Sequence, residues 1–294
     1  MGDRILFPTS VVGSLPRPRW LLDLLERHQR GELDEVELDR ALDQAVSFAI
    51  ALQEAAGVDI LSDGEWRRLG YFEVFAQRVD GFTTGQFDTP AESSPTAQQR
   101  APQRWTLKPF PQAVVTRKIR YRRPIVAEDA RFLKHHAAHP IKVALPSPYL
   151  VANRLWHPNY SQDAYPTREA FIKAVIPIFQ QELELAIDSL NQVVDGLDGI
   201  KTALHVCRGN RERVNFASGD YGPILPYLYC TQVDQLVMEF ALPEAGGIDV
   251  FKKYPPEHEI GFAPTSTNPI PIDEAYLKLH AQSEATWILR KRYG

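Results

Sequence analysis

Residues 34–65 read DEVELDRALDQAVSFAIALQEAAGVDILSDGE, and this stretch decides the fold. Asp34 is a helix-capping residue and Gly57 a helix stop, so the spacing predicts a helix over about 34–56. Ala41, Ala45, Phe48 and Leu52 recur on one face of it. Val58 to Ser62 then forms a short apolar strand that ends on Asp63-Gly64-Glu65. Upstream, Thr9 to Ser14 is another strand candidate, closed by the irregular loop Leu15-Pro16-Arg17-Pro18. Strand, helix and strand in this order are the unit of a parallel α/β sheet.

The same alternation runs on. Ile141 to Leu145 reads as a buried strand that stops at Pro146-Ser147-Pro148. A long helix follows from about Thr167 to Leu190, with Pro177 marking a kink or a restart. Ile200 to Leu204 is apolar enough for a buried strand, and Gln235 to Ala241 is another that carries Glu239. A last helix covers Asp273 to Arg292, with Asp273 as its cap. Residues 75–120 break the rhythm and read as an insertion. In it, Thr83 to Gln103 is a polar surface excursion. Val114 to Tyr121 is a strand with Lys118, Arg120, Arg122 and Arg123 toward solvent.

Composition bounds the class. With 294 residues, 44% of them hydrophobic, the chain can build one large core, and a single α/β barrel of roughly 250 residues fits it. A net charge of -4 and a pI near 6.1 provide no basic field for nucleic acid or anionic lipid. No apolar run approaches the roughly 20 residues of a membrane span, and the N-terminus has no signal-peptide core. Two cysteines, Cys207 and Cys230, are too few for a disulfide scaffold, so the expectation is a cytoplasmic protein. Cys230, in Leu228-Tyr229-Cys230, reads as core packing.

The chemistry concentrates on His205-Val206-Cys207, followed at once by the turn Arg208-Gly209-Asn210. Side chains two apart on a strand share a face, so His205 and Cys207 can grip one metal ion. Imidazole, thiolate and carboxylate suit zinc, and Glu239 at the end of the next apolar strand is the leading third ligand. A lone His-x-Cys is also common by chance, and a buried cysteine is ordinary core. Asp63-Gly64-Glu65 can bind a substrate amine or simply cap a turn. Gly13-Ser14 can let backbone approach a ligand or simply turn the chain. No residue is assigned as general acid or base.

These pieces, taken in order, resemble a family. They are Val12-Gly13-Ser14-Leu15-Pro16-Arg17-Pro18, Gly57 to Glu65, Ala203 to Asn210, Met238-Glu239-Phe240 and Gly261-Phe262-Ala263-Pro264. Together they resemble the catalytic domain of cobalamin-independent methionine synthase in its stand-alone, single-domain form. The resemblance implies an α/β fold, a TIM (β/α)8-type barrel over residues 1–294 as one domain, with the excursion at about 75–120. It implies zinc, held by His205, Cys207 and Glu239. It implies that Val12, Ser14 and Glu65 hold the amino-acid end of homocysteine, whose sulfur takes a methyl group from a folate. A thiolate is the nucleophile in such a transfer, and a zinc ion deprotonates the thiol. Small molecules are the expected partners, with homo-oligomer formation left open.

Some family features are not where the resemblance would put them. Ile260 stands at the position of the family's fourth ligand, a cysteine. An acid-bearing strand between the long helix and the His205 strand has no counterpart, and Glu259-Ile260-Gly261-Phe262 joins two distant family segments, so the barrel is expected to be incomplete. Three rival readings follow. One is zinc-dependent alkyl transfer to another small thiol, and one is a catalytically inactive, shortened relative. The third is the neighbouring decarboxylase branch of the superfamily, acting on a tetrapyrrole, whose chemistry needs no metal thiolate.

Overall fold

The computed structural model describes residues 5–68, 70–85, 112–191, 201–206, 210–211, 214–215, 220–231, 233–240, 246–263 and 270–293. Two compact units share the chain. One comprises residues 1–92, 103–195 and 271–294, and the other 93–102 and 196–270. Among the described residues no helix is long and apolar enough to cross a membrane.

In the first unit, α1 (Arg19–Gln29) precedes α2 (Glu35–Ala55). A full capping box starts α2. The Asp34 side chain accepts from the Glu37 N–H, and the Glu37 side chain accepts from the Asp34 N–H. Gly57, at φ +77°, ends it in the left-handed region that a residue without Cβ tolerates. The buried stripe of α2 is Leu42, Ala45, Val46, Ala49, Ile50 and Gln53. Phe48, expected on that stripe, is 48% exposed and stacks on Trp66 at 6.1 Å. The helix face is therefore rotated from the predicted one, because Leu42, Ala49 and Gln53 define an equally periodic set.

The expected strands at 9–14, 58–62 and 141–145 are short extended segments joined by parallel bridges, Ser10 to Ile60 and Leu61 to Ile141. Segment 58–62 is thus the middle of three. Gln53 locks it to α2, donating from Nε2 to the Ser62 and Ala49 carbonyls and accepting from the Ser62 N–H. The excursion begins as α3 (Glu73–Arg78) and continues as a hairpin of β1 (Val79–Gly85) and β2 (Gln112–Tyr121), antiparallel with a bulge between Asp80 and Phe82. The polar stretch from 86 to 111 lies outside the described residues. Of the four cations expected in solvent, Lys118, Arg120 and Arg122 are exposed, while Arg123 is half-buried and pairs with Glu35 at 3.2 Å.

The hairpin also builds the core. Val79, Ala113 and Val115 pack with Phe75, Phe171 and Val175. Phe171 and Val175 come from α6 (Arg168–Asn191), which carries Pro177 within it and follows α4 (Ala127–His136) and α5 (Pro148–Leu155). The last helix, α9 (Ile272–Tyr293), starts one residue before Asp273, which lies in the first turn instead of at the cap. Arg290 anchors α9 by donating to the Leu6 and Phe7 carbonyls and, at 2.7 Å, to Asp59.

The second unit holds a parallel sheet in the order β3 (Ala203–Val206), β6 (Gln235–Glu239), β7 (Glu259–Ala263). Short pieces β4 (Asn210–Arg211) and β5 (Val214–Asn215) pair with each other. Small helices α7 (Leu225–Leu228) and α8 (Val250–Lys253) complete it. Its core is Tyr221, Leu225, Leu236 and Met238. The β3 segment, expected to be buried, is the first strand in the order of this sheet among the described residues, and Ala203 and His205 are exposed. Cys230, expected in the core, is also exposed, because it falls just after the one-turn helix α7 and its Sγ faces the Pro226 carbonyl at 3.3 Å.

Candidate functional site

The first group of candidate residues is built by two turns that meet in the first unit. Gly13 is at φ +77°. Leu15 donates its N–H to the Gly64 carbonyl at 3.0 Å, which seats the turn of residues 12–15 on the turn of residues 63–66. Gly64 and Glu65 both have positive φ, at 64° and 58°. For glycine that is permitted, whereas for glutamate it is uncommon and holds the side chain in one direction. Gly64 also lacks room, since a Cβ there would stand 3.1 Å from Leu15 Cδ1.

The result is a buried carboxylate with a defined donor. Ser14 Oγ donates to Glu65 Oε2 at 2.5 Å, a short charge-assisted contact. Of the three residues expected together here, Ser14 and Glu65 meet directly and Val12 lies half-buried beside them in the chain. Trp66 fixes the turn from behind, its indole N–H donating to the Leu15 carbonyl at 3.1 Å. Arg17, from the Pro-Arg-Pro loop, donates to the Glu65 carbonyl at 3.0 Å and to the Arg68 carbonyl at 2.5 Å.

Three charged residues around these turns escaped the sequence reading. Arg68 is buried and lies 3.9 Å from Asp63 and 3.7 Å from Asp129, with Nη1 on the Ala144 carbonyl at 2.7 Å. Burial, and then the charge of Asp63, push the Asp129 carboxyl up to about 7, against the pull of Arg68, Arg67 and Arg78. Lys142 sits in the expected strand 141–145 and donates its ammonium to the Val11 carbonyl. Burial lowers Lys142 to about 8, and the charge of Glu65 opposes that shift. The signal for Lys142 was present: a lysine inside an apolar strand must find an acceptor or snorkel to water.

The expected metal ligands lie in the second unit. Cys207 is outside the described residues. His205 pairs in register with Val237 across the parallel ladder, and Glu239 lies two residues beyond Val237. Because side chains alternate, Glu239 shares the face of Val237, opposite the core-facing Leu236 and Met238. His205 Nδ1 lies 3.0 Å from the Val237 carbonyl. A carbonyl only accepts, so Nδ1 carries the hydrogen, and in the neutral ring Nε2 keeps its lone pair. This is the tautomer a metal needs, fixed by a backbone partner as at many histidine metal sites. Glu239 is buried, with its N–H on the Tyr221 hydroxyl at 3.1 Å. That hydroxyl also donates to the Val206 carbonyl at 3.2 Å, so one tyrosine ties the ends of β3 and β6 together. Sequence spacing had no means of finding Tyr221. Among the described residues no three His, Cys, Asp or Glu side chains cluster as a metal site.

Comparisons with known proteins agree on one lineage. Residues 7–123 match the family model described as "Cobalamin-independent synthase, Catalytic domain". The chain is similar to the methionine synthase of Sulfurisphaera tokodaii, 28% identical over 89% of this chain and 75% of that protein. It is likewise similar to those of Sulfolobus acidocaldarius, 27% identical over 99% and 82%, and Pyrococcus furiosus, 27% identical over 96% and 84%. A B12-independent methionine synthase from Shewanella sp. W3-18-1, solved in complex with selenomethionine, superimposes with a TM-score of 0.68 at 20% identity over 98% of both chains. A putative vitamin-B12 independent methionine synthase from Listeria monocytogenes gives 0.61 at 17% identity over 96% of both. The chain has the fold of these proteins.

Proposed function

We propose that the chain is a member of the cobalamin-independent methionine synthase family and that it transfers a methyl group from a methyltetrahydrofolate to homocysteine. The sulfur loses its proton and gains the methyl group, while the folate nitrogen loses the methyl group and takes up a proton, so no net proton is released. The names of the similar proteins support this reading. So do the two turns at residues 12–15 and 63–66, which offer a buried carboxylate and a hydroxyl to the ammonium end of an amino acid.

His205 is the observation that carries the proposal. Its Nδ1–H is directed to the Val237 carbonyl, which sets the tautomer in which imidazole binds a metal, at a strand position on the face that Glu239 shares. His205, Glu239 and Cys207 would hold zinc, with a fourth position left to the substrate sulfur. When bound, zinc would lower the pKa of a thiol so that the nucleophilic anion exists at neutral pH. Tyr221 would keep the ends of β3 and β6 at a fixed spacing through its two hydrogen bonds. Glu65 would orient the amino acid from its ammonium end, with Ser14 holding the carboxylate in place. The fold of such an enzyme would be one (β/α)8-type barrel over residues 1–294. It is supported by parallel pairing in both units and by the structural neighbours. The setting of such an enzyme would be cytoplasmic, and the two cysteines favour that.

Metal analysis joined to a methionine-forming assay tests the proposal. About one zinc per chain is expected, with turnover of methyltetrahydrofolate that depends on homocysteine. Cys207→Ser should lose both. Equal zinc content in Cys207→Ser and the parent would remove the metal assignment. Zinc and thiol binding without folate turnover would favour transfer to or from another small thiol.

A further inference from the structure

Lys142 performs a task that a purely structural residue does not need. It lies on the third of three parallel segments, with its N–H on the Leu61 carbonyl at 2.7 Å. Its side chain crosses the middle segment and reaches Val11 on the first. The acceptor it finds there is the carbonyl immediately before Val12-Gly13-Ser14. At the other end of this turn, Leu15 is fixed to the Gly64 carbonyl. The turn is therefore clamped on both sides, once by backbone and once by a half-buried lysine. Between the clamps, a Cβ built on Gly13 would meet nothing within 4 Å, so the turn has open space where a ligand could approach.

A neutral donor would satisfy the Val11 carbonyl without the desolvation that a half-buried ammonium costs. The charge has a counterpart in Glu65, whose field acts on Lys142 and whose carboxylate Ser14 holds. Arg17 also faces Glu65, but it contacts the backbone of the second turn and not the first. Lys142 is thus the cation bonded to the Ser14 half of the Ser14–Glu65 pair, as Arg17 is to the Glu65 half.

We propose that Lys142 is a positioning residue for the amino-acid end of the substrate, holding the Val11–Ser14 turn against Glu65 through its bond to the Val11 carbonyl. The proposal rests on the methyl-transfer reading for the identity of the substrate, but not for the geometry. Lys142→Met keeps the length and apolar stem and removes the charge and the donor, while Lys142→Arg keeps both.

The experiment is steady-state kinetics on the parent and both variants, with zinc content and melting temperature measured alongside. Lys142→Met is expected to raise KM for homocysteine about tenfold or more, the effect of one lost charge-assisted contact. Its kcat, its KM for the folate and its zinc content should stay within about threefold. Lys142→Arg should recover most of the KM. A Lys142→Met enzyme with KM for homocysteine within about twofold of the parent overturns the proposal. So does an Arg variant as impaired as the Met variant, or a Met variant that has lost its melting transition, since Lys142 would then serve the fold alone. If the parent forms no methionine, the methyl-transfer reading is what fails. Calorimetric binding of homocysteine to the parent and to Lys142→Met then decides the role of Lys142, with weaker binding to the variant expected and equal or absent binding overturning it.

Discussion

Ile260 occupies the position where the family resemblance places a fourth zinc ligand, and its setting in the sheet argues against a simple repair. It pairs with Leu236, whereas Glu239 pairs with Ala263, three residues further along β7. At about 3.3 Å per residue, Ile260 stands roughly 10 Å below the level of Glu239. It also packs against the core of the second unit. A thiol there would sit too far along the strand to join His205 and Glu239. Ile260→Cys is therefore expected to leave zinc stoichiometry and affinity within about threefold of the parent, and to cost about 1–2 kcal/mol of stability through lost packing. Competition with a chromophoric chelator checks the first part and urea unfolding the second. A tenfold or greater gain in zinc affinity would mean that the strand register differs from the one described.

The best-read element was α2, because its signals are local. The capping box and Gly57 lie within the chain segment they terminate, so the predicted helix over about 34–56 and the observed Glu35–Ala55 nearly coincide. The face it buries was less legible, since Phe48 and Ala49 lie on adjacent helix positions and only the neighbouring elements choose between them. The exposure of Ala203 and His205 in β3 and the buried charges were hidden for the same reason. Asp63, Arg68 and Asp129 meet across more than sixty residues of chain. Asp129, in the first turn of α4, carries a pH consequence. Its carboxyl titrates near 7 in the folded protein, raised first by burial and then by Asp63, against the usual carboxylate range near 4 when unfolded. The folded state therefore binds this proton more tightly than the unfolded state does. The stabilisation is fully present below about pH 4 and is lost as pH rises through about 7. Asp129→Asn should flatten the fall in melting temperature between pH 5 and pH 8 by about 5 °C. Thermal melts at constant ionic strength measure this, and parallel profiles for parent and variant would rule it out. The slope is the readout, because the substitution also takes one carboxylate from Arg67 and Arg68.

At the scale of the whole chain, the candidate residues divide between the two units. Val12, Ser14, Glu65 and Lys142 belong to the first, and His205 and Glu239 to the second. In the sequence, Ser14, Glu65, His205 and Glu239 each lie at or just after the end of a segment that reads as apolar, whereas Lys142 lies near the start of one. Among the described residues, the second unit has the smaller core, formed around Tyr221, Leu225, Leu236 and Met238, and Ala203 and His205 of its β3 are exposed. The first unit holds three separate apolar clusters, with Gln53 locking α2 to segment 58–62. A ligand that binds only the folded state adds stability where it binds, and regions with few buried contacts open most readily. Removing zinc is therefore expected to act unevenly. Chelation should lower amide protection in β3, β6 and the chain around Tyr221 by about tenfold or more, which corresponds to roughly 1.4 kcal/mol of lost local stability. Amides of α2 and of Val58 to Ser62 should change by less than about threefold. Hydrogen exchange followed by mass spectrometry, with and without chelator, reads both regions in one experiment, and Cys207→Ser should reproduce the chelated pattern without chelator. Uniform loss of protection across both regions would show that metal binding is coupled to global unfolding and not to the second unit's sheet. No change in either region would remove zinc from the account of this chain's stability.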